Sequence, residues 1–275
     1  AIETLALALA ATGDKVEARR QFQAAVRYSG FNGSALMRIA QQQVLLEDYA
    51  NARKTLLKAS QSGLPAKTAT NALVRLDIQL KHYDAALARI KELENTDDAA
   101  LGHLLMGELL LAQGQAENAI SAFKIATEMN PNTQTILGLF DAIDASGRRP
   151  EAIEMLENWT AAHPDDSEAK RKLALWYLPL QQLDKSEALF EELLPGDPAD
   201  PVLLSNLARI YQLKGDERAR ILAERAVAAR PNWPVALDTL GWILATEGDS
   251  EAGLEYLRQA SARSDNPLTR YHLAQ

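Results

Sequence analysis

The sequence has no cysteine, which excludes disulfides, thiolate metal sites and cysteine nucleophiles. The compartment stays open, because an elongated helical array needs no covalent staples. Aromatic residues are scarce at 6%, and runs of β-branched residues bounded by turn signals, which strands require, are missing. Positive charge is in deficit: 29 Lys and Arg against 37 Asp and Glu leave a net charge of −8. That balance repels a phosphate backbone and argues against nucleic acid as the main partner. No stretch of about 18 uninterrupted apolar residues occurs, so no segment reads as a transmembrane helix. The opening Ala1–Ala11 is apolar, yet it carries Glu3 and lacks a basic leader, so it does not read as a signal peptide. The first residue is not Met, which points to a trimmed or mature fragment with further repeats or domains expected beyond both ends.

What the chain does have is Ala and Leu, the main contributors to a hydrophobic share of 47%, and that is an alphabet of strong helix formers. Sliding the sequence along itself gives a period of 33 to 34 residues. With Ala100 as position 1, units fall at about 1–32, 33–66, 67–99, 100–132, 133–166, 167–200, 201–233 and 234–267, and a ninth begins at 268–275. Position 7 is always a large aliphatic: Leu5, Ile39, Leu73, Met106, Leu139, Leu173, Leu207, Leu240, Leu273. Position 20 is always small: Ala18, Ala52, Ala86, Ala119, Ala152, Ser186, Ala219, Gly253, once a one-residue shortening in the unit from Pro201 is allowed. Position 24 is bulky everywhere except Ala223. A small residue lets the second helix of a hairpin approach the first, and bulky neighbours fill the remaining space.

Punctuation agrees with this reading. Gly13, Gly114, Gly147, Gly215 and Gly248 fall where the first helix must stop and reverse, a place for a left-handed cap. Asn130-Pro131-Asn132, His163-Pro164-Asp165-Asp166, Gly196-Asp197-Pro198 and Arg230-Pro231-Asn232 separate the hairpins, with proline blocking helix continuation.

Chemistry is hard to find. His82, His103, His163 and His272 lie in four different units and do not converge on a metal, and no metalloprotease, P-loop, nucleophile-elbow or dinucleotide fingerprint occurs. Asp165-Asp166 stands where acidic side chains cap a helix, and Glu191-Glu192 lies on the polar face of an amphipathic helix. The expectation is therefore no catalytic residue, no metal and no cofactor.

The columns resemble the tetratricopeptide repeat family over essentially the whole chain. Asp77 departs from the pattern where the family prefers a bulky position 11, and Pro179 departs near the end of a first helix, so the hairpins from 67 and 167 fit least well. The resemblance implies an all-α, right-handed superhelical solenoid of about eight helix-turn-helix repeats that binds protein or peptide segments in a concave groove. Carrying the family's groove columns across places Glu108, Asp141 and Asp144, then Arg171, Lys172, Asn206, Arg209 and Trp242, on that groove. Trp242, at position 9, is the leading candidate for partner contact against the alternative of local packing. Trp159 and Trp176 read as structural. A subtype of the family clamps a C-terminal carboxylate. Arg171 and Asn206 fit two of its columns, but Leu175, Val235 and Thr239 occupy others, so the clamp is incomplete. The strings Leu237–Trp242 and Arg270–Ala274 look like a narrower group, the bacterial tetratricopeptide lipoproteins associated with exosortase sorting and exopolysaccharide loci. That likeness implies a periplasmic or membrane-anchored location, and without it a cytoplasmic one is expected. The function expected is a noncatalytic scaffold. The competing reading is a repeat domain that selects substrates for a larger enzyme.

Overall fold

A computed structural model describes residues 2–62 and 66–275, with the side chains of Ala66 and Lys67 left aside. The expected end of the unit at 33–66 and the start of the next fall partly outside the described residues. The described residues form seventeen helices and no strand. The chain divides into two compact units, the first ending at Met155 and the second running from Leu156 to Gln275.

The first unit holds α1 (Ile2–Ala11) and α2 (Lys15–Tyr28), α3 (Gly33–Leu45) and α4 (Tyr49–Ser60), α5 (Ala66–Gln79) and α6 (Tyr83–Glu94), and α7 (Ala99–Ala112) and α8 (Ala116–Met129). It also holds α9 (Thr133–Ala145) and the start of α10 (Arg149–Ala162), inside which the division falls. The second unit continues with α11 (Ser167–Tyr177) and α12 (Leu183–Leu193), α13 (Pro201–Lys214) and α14 (Arg218–Ala229), and α15 (Pro234–Thr246) and α16 (Ser250–Ser261). It closes with α17 (Pro267–Ala274).

Six helices, α2, α3, α9, α11, α13 and α17, begin where a side chain satisfies free backbone N–H groups. Asp14 accepts from the Glu17 amide at 3.1 Å, Asn32 from Ala35 at 3.0 Å, and Asp166 from Ala169 at 3.0 Å. Asn132 and Thr135 exchange bonds as a capping box at the start of α9. Asp200 and Asn266 cap α13 and α17, each with proline in the first turn.

The small column at position 20 is buried throughout, from Ala18 to Gly253, and the bulky column beside it includes Phe22, Phe123 and Phe190, all fully enclosed. Around Phe123 the fit is closest. A Cβ added to Gly107 would lie 2.7 Å from the ring, and one added to Gly138 would lie 2.3 Å from it, so both glycines stand where the ring needs bare backbone. Leu5, in the large aliphatic column, is 49% exposed. Ile39, Leu73, Leu139, Leu173, Leu207 and Leu240 in the same column are buried.

Asp77 is fully buried in α5, where it accepts from Arg53 Nε of α4 at 2.5 Å and from Arg89 of α6 at 2.8 Å. The family's bulky apolar residue is thus replaced by a carboxylate that ties three consecutive helices together. Pro179 falls just past the end of α11, which stops at Tyr177 after 11 residues.

Candidate peptide-binding cleft

Within the second unit, α13, α15 and α17 line a cleft of about 310 Å³. It brings together three of the residues singled out in the sequence: Asn206 and Arg209 from α13 and Trp242 from α15. Arg209 is exposed, and among the described residues it makes no hydrogen bond or ion pair. Asn206 donates one amide N–H to Val202 O at 2.8 Å. Apolar side chains surround these polar groups: Leu213, Val235 and Tyr271 are all exposed and all face the cleft. Exposed apolar groups around a single unpaired cation form a surface that gains by being covered.

Trp242 is held rather than loose. Its indole stacks on the His272 ring at 4.3 Å with 14° between the planes, and His272 Nδ1 lies 3.1 Å from both carboxylate oxygens of the buried Asp238. The indole is half-buried, so one aspect packs and the other is available to the cleft. His272, Asp238 and the aliphatic rim were not singled out as site residues in the sequence. The usable signal was the separation of 34 residues between Asp238 and His272, one repeat period, which places the two in neighbouring columns of successive hairpins.

The remaining groove candidates lie elsewhere. Arg171 pairs with Asp200 Oδ2 at 2.5 Å, at the N-terminus of α13, and Lys172 is half-buried and already has a partner. In the first unit Glu108 accepts two bonds from Arg75, at 2.8 and 3.1 Å. Burial pushes the Glu108 carboxyl above the usual carboxylate range, and the Arg75 guanidinium pulls against that shift. Asp144 pairs with Arg149 at 2.7 Å, and Asp141 is exposed and has a partner of its own. Trp159 donates from Nε1 to Asp166 at 2.8 Å and stacks on His163 at 3.7 Å, a local brace at the end of α10.

Among the described residues no group of three or more potential ligands could hold a metal ion, and no helix is long and apolar enough to cross a membrane. Each histidine has a neighbour of its own: Asp77 for His82, Glu94 for His103, Trp159 for His163 and Asp238 for His272.

The comparisons fit these columns. A tetratricopeptide repeat-like domain model matches residues 8–142, and a tetratricopeptide repeat model matches residues 110–175. The chain belongs to the tetratricopeptide repeat family. Proteins built from tetratricopeptide repeats typically serve as scaffolds for protein–protein interaction. The Protein CTR9 homolog of Arabidopsis thaliana is 34% identical over 94 residues, a stretch that is 34% of this chain and 9% of that protein. The chain therefore spans under a tenth of the length of that curated relative. Among solved structures, the APC/C hetero-tetramer Cut9-Hcn1 aligns with a TM-score of 0.60 at 15% identity, over 94% of this chain and 52% of that one. YrrB, described as a TPR protein with an unusual peptide-binding site, aligns with a TM-score of 0.52 at 17% identity, over 67% of this chain and 97% of its own. At such identities these structures speak to the tetratricopeptide fold alone.

Proposed function

We propose that the protein is a noncatalytic scaffold whose α13–α15–α17 cleft binds an extended segment of a partner protein. Trp242 is the apolar anchor of that contact, and Arg209 orients an acidic side chain of the partner. The observation that carries this reading is the meeting of an unpaired guanidinium with Trp242, Leu213, Val235 and Tyr271 in one cleft. Asp238, Thr239 and Trp242 belong to one of the two strings that resemble bacterial sorting-associated lipoproteins, and Tyr271 and His272 belong to the other. That coincidence is the reason to place the partner in an envelope, exopolysaccharide or protein-sorting assembly of a bacterium.

The test is selection of peptides from a random display library on the wild-type protein. The selected peptides should carry an acidic residue beside a large apolar one. A buried aromatic anchor contributes a large share of binding energy, so Trp242→Ala should cost about 2 kcal/mol in calorimetric titration. Arg209→Ala should mainly slow association and flatten its salt dependence. Far-ultraviolet dichroism shows whether the variants keep their helices. Peptides that bind the wild type and both variants equally would remove the cleft from consideration.

A further inference from the structure

A second cleft, of about 290 Å³, lies in the first unit between α2, α3 and α4. It is lined by Gln43 from α3, by Gln23 and Arg27 from α2, and by Asn51, Lys54 and Lys58 from α4, and no carboxylate among the described residues lines it. Gln43 is fully buried, and neither its amide nitrogen nor its carbonyl oxygen has a hydrogen-bond partner among the described residues. An unpaired buried amide is costly to leave in place, because the hydration it loses is not replaced by a hydrogen bond. Arg27 and Lys54 are exposed and have no partner among the described residues, while Lys58 donates to Val26 O at 3.1 Å.

The repeat supplies an internal control. Gln43 occupies position 11 of its hairpin, and Gln23 and Asn51 occupy positions 25 and 19 of the flanking second helices. In the second unit the same three columns close on themselves. Tyr177 OH donates to Glu157 Oε1 at 2.5 Å, and Lys185 donates to the same oxygen at 2.8 Å while lying 5.0 Å from the tyrosine ring centre. One repeat later Tyr211 OH donates to Glu191, and Arg218 covers the Tyr211 ring at 4.0 Å. In the first unit position 25 is Gln23, which leaves Gln43 without a bond, and Asn51 turns its amide to Asp48 instead. Polar capacity that is consumed internally elsewhere is left open here, beneath three cations.

We propose that this cleft is a binding site for an acidic peptide segment, separate from the cleft of the second unit and independent of its role. A partner carboxylate is held by Lys54 and Arg27. Gln43, enclosed in the free protein, turns out into the cleft it lines and pairs with a partner backbone amide, whose N–H donates to the Gln43 carbonyl and whose C=O accepts from the Gln43 amide. The orphaned pair selects a peptide over a phosphate monoester, because the ester dianion has acceptors and no donor to offer the Gln43 oxygen.

The experiment follows the side-chain amide resonance of Gln43 by nuclear magnetic resonance on the full chain, titrated with N-acetyl-triglutamate amide and, as a control, N-acetyl-triglutamine amide. The expected result is a saturable shift with the glutamate peptide. That shift should weaken at least tenfold in affinity in an Arg27→Ala, Lys54→Ala double variant, and it should be unchanged in Trp242→Ala. Gln43→Leu should abolish binding while raising the urea midpoint, since it removes an unpaired buried amide. A lowered midpoint in Gln43→Leu would mean that an ordered water only satisfies the amide, and the site would fall. Equal binding of the glutamine peptide, or no saturable shift, would also overturn it.

Discussion

Asp77 is where a single residue departs furthest from its repeat and where the structure gives the reason. A carboxylate with no exposure is tolerated because Arg53 and Arg89 both reach it while keeping part of their own guanidinium surface in water. Removing the anion leaves two cations facing an emptied site, so Asp77→Ala should cost about 3 kcal/mol, measured by urea denaturation. Asp77→Leu restores the family's apolar residue and should cost less, since a well-packed hydrophobe often replaces a buried ion pair without loss. An unchanged midpoint in Asp77→Ala would show that the network contributes nothing. Glu157 gives a prediction in pH. The Lys185 ammonium and the Tyr177 hydroxyl hold its carboxyl below the ordinary glutamate value of 4.5. A carboxylate with a depressed folded value contributes stability that is complete above 4.5 and is lost as pH falls through the depressed value. Glu157→Gln should therefore be less stable than wild type near about pH 7, with the gap closing on acidification. A gap that stays constant with pH would refute the ionic contribution.

At the scale of the helix hairpin, the reversal between first and second helices uses one backbone solution eight times. Five hairpins place glycine there, with φ between 72° and 98° at Gly13, Gly114, Gly147, Gly215 and Gly248. The same position is Glu47, Lys81 and Gln181 in the other three, at φ of 60°, 60° and 57°. A side chain in the left-handed region is strained by roughly 1–2 kcal/mol, and part of that is offset by the greater freedom glycine has in the unfolded chain. Each of Glu47→Gly, Lys81→Gly and Gln181→Gly should stabilise by about 1 kcal/mol or slightly less in chemical denaturation. Loss of stability in all three would show that these side chains make contacts worth more than the strain. The glycine loops and the small and bulky columns were legible in the sequence because helix packing repeats its demands at a fixed spacing. The three non-glycine reversals were not, since only the register implies a left-handed residue where the side chain argues against it. Of the eight groove residues read from the columns, three converge on one cleft, and Arg171 is drawn off to the helix cap at Asp200. Column position reports which way a helix face points, whereas partners such as Asp200, Asp238 and His272 come from neighbouring repeats and depend on local tertiary contact.

On the scale of the whole molecule, each of the two compact units carries hydrophobic clusters of its own. One runs from Ala174 to Leu244 in the second unit, and others lie around Phe22, Leu56 and Ile90 in the first. All four tryptophans, Trp159, Trp176, Trp233 and Trp242, lie in the second unit. Tryptophan fluorescence therefore reports on the second unit, whereas far-ultraviolet dichroism reports on helices throughout the chain. In arrays whose elements touch mainly their neighbours, stability is a sum of local terms, and a local defect need not spread evenly. Ala119 is fully buried in the small column of α8, facing α7, so leucine there must force the two helices apart. Overpacking of this kind costs about 1–3 kcal/mol. Ala119→Leu should lower the dichroism midpoint while leaving the fluorescence midpoint near its wild-type value, so that two curves close together in the wild type separate in the variant. If both midpoints fall by the same amount, the chain unfolds as one cooperative block and the local-sum description fails. If neither moves, Ala119 does not sit in the helix seam and the register of the repeat has been misassigned.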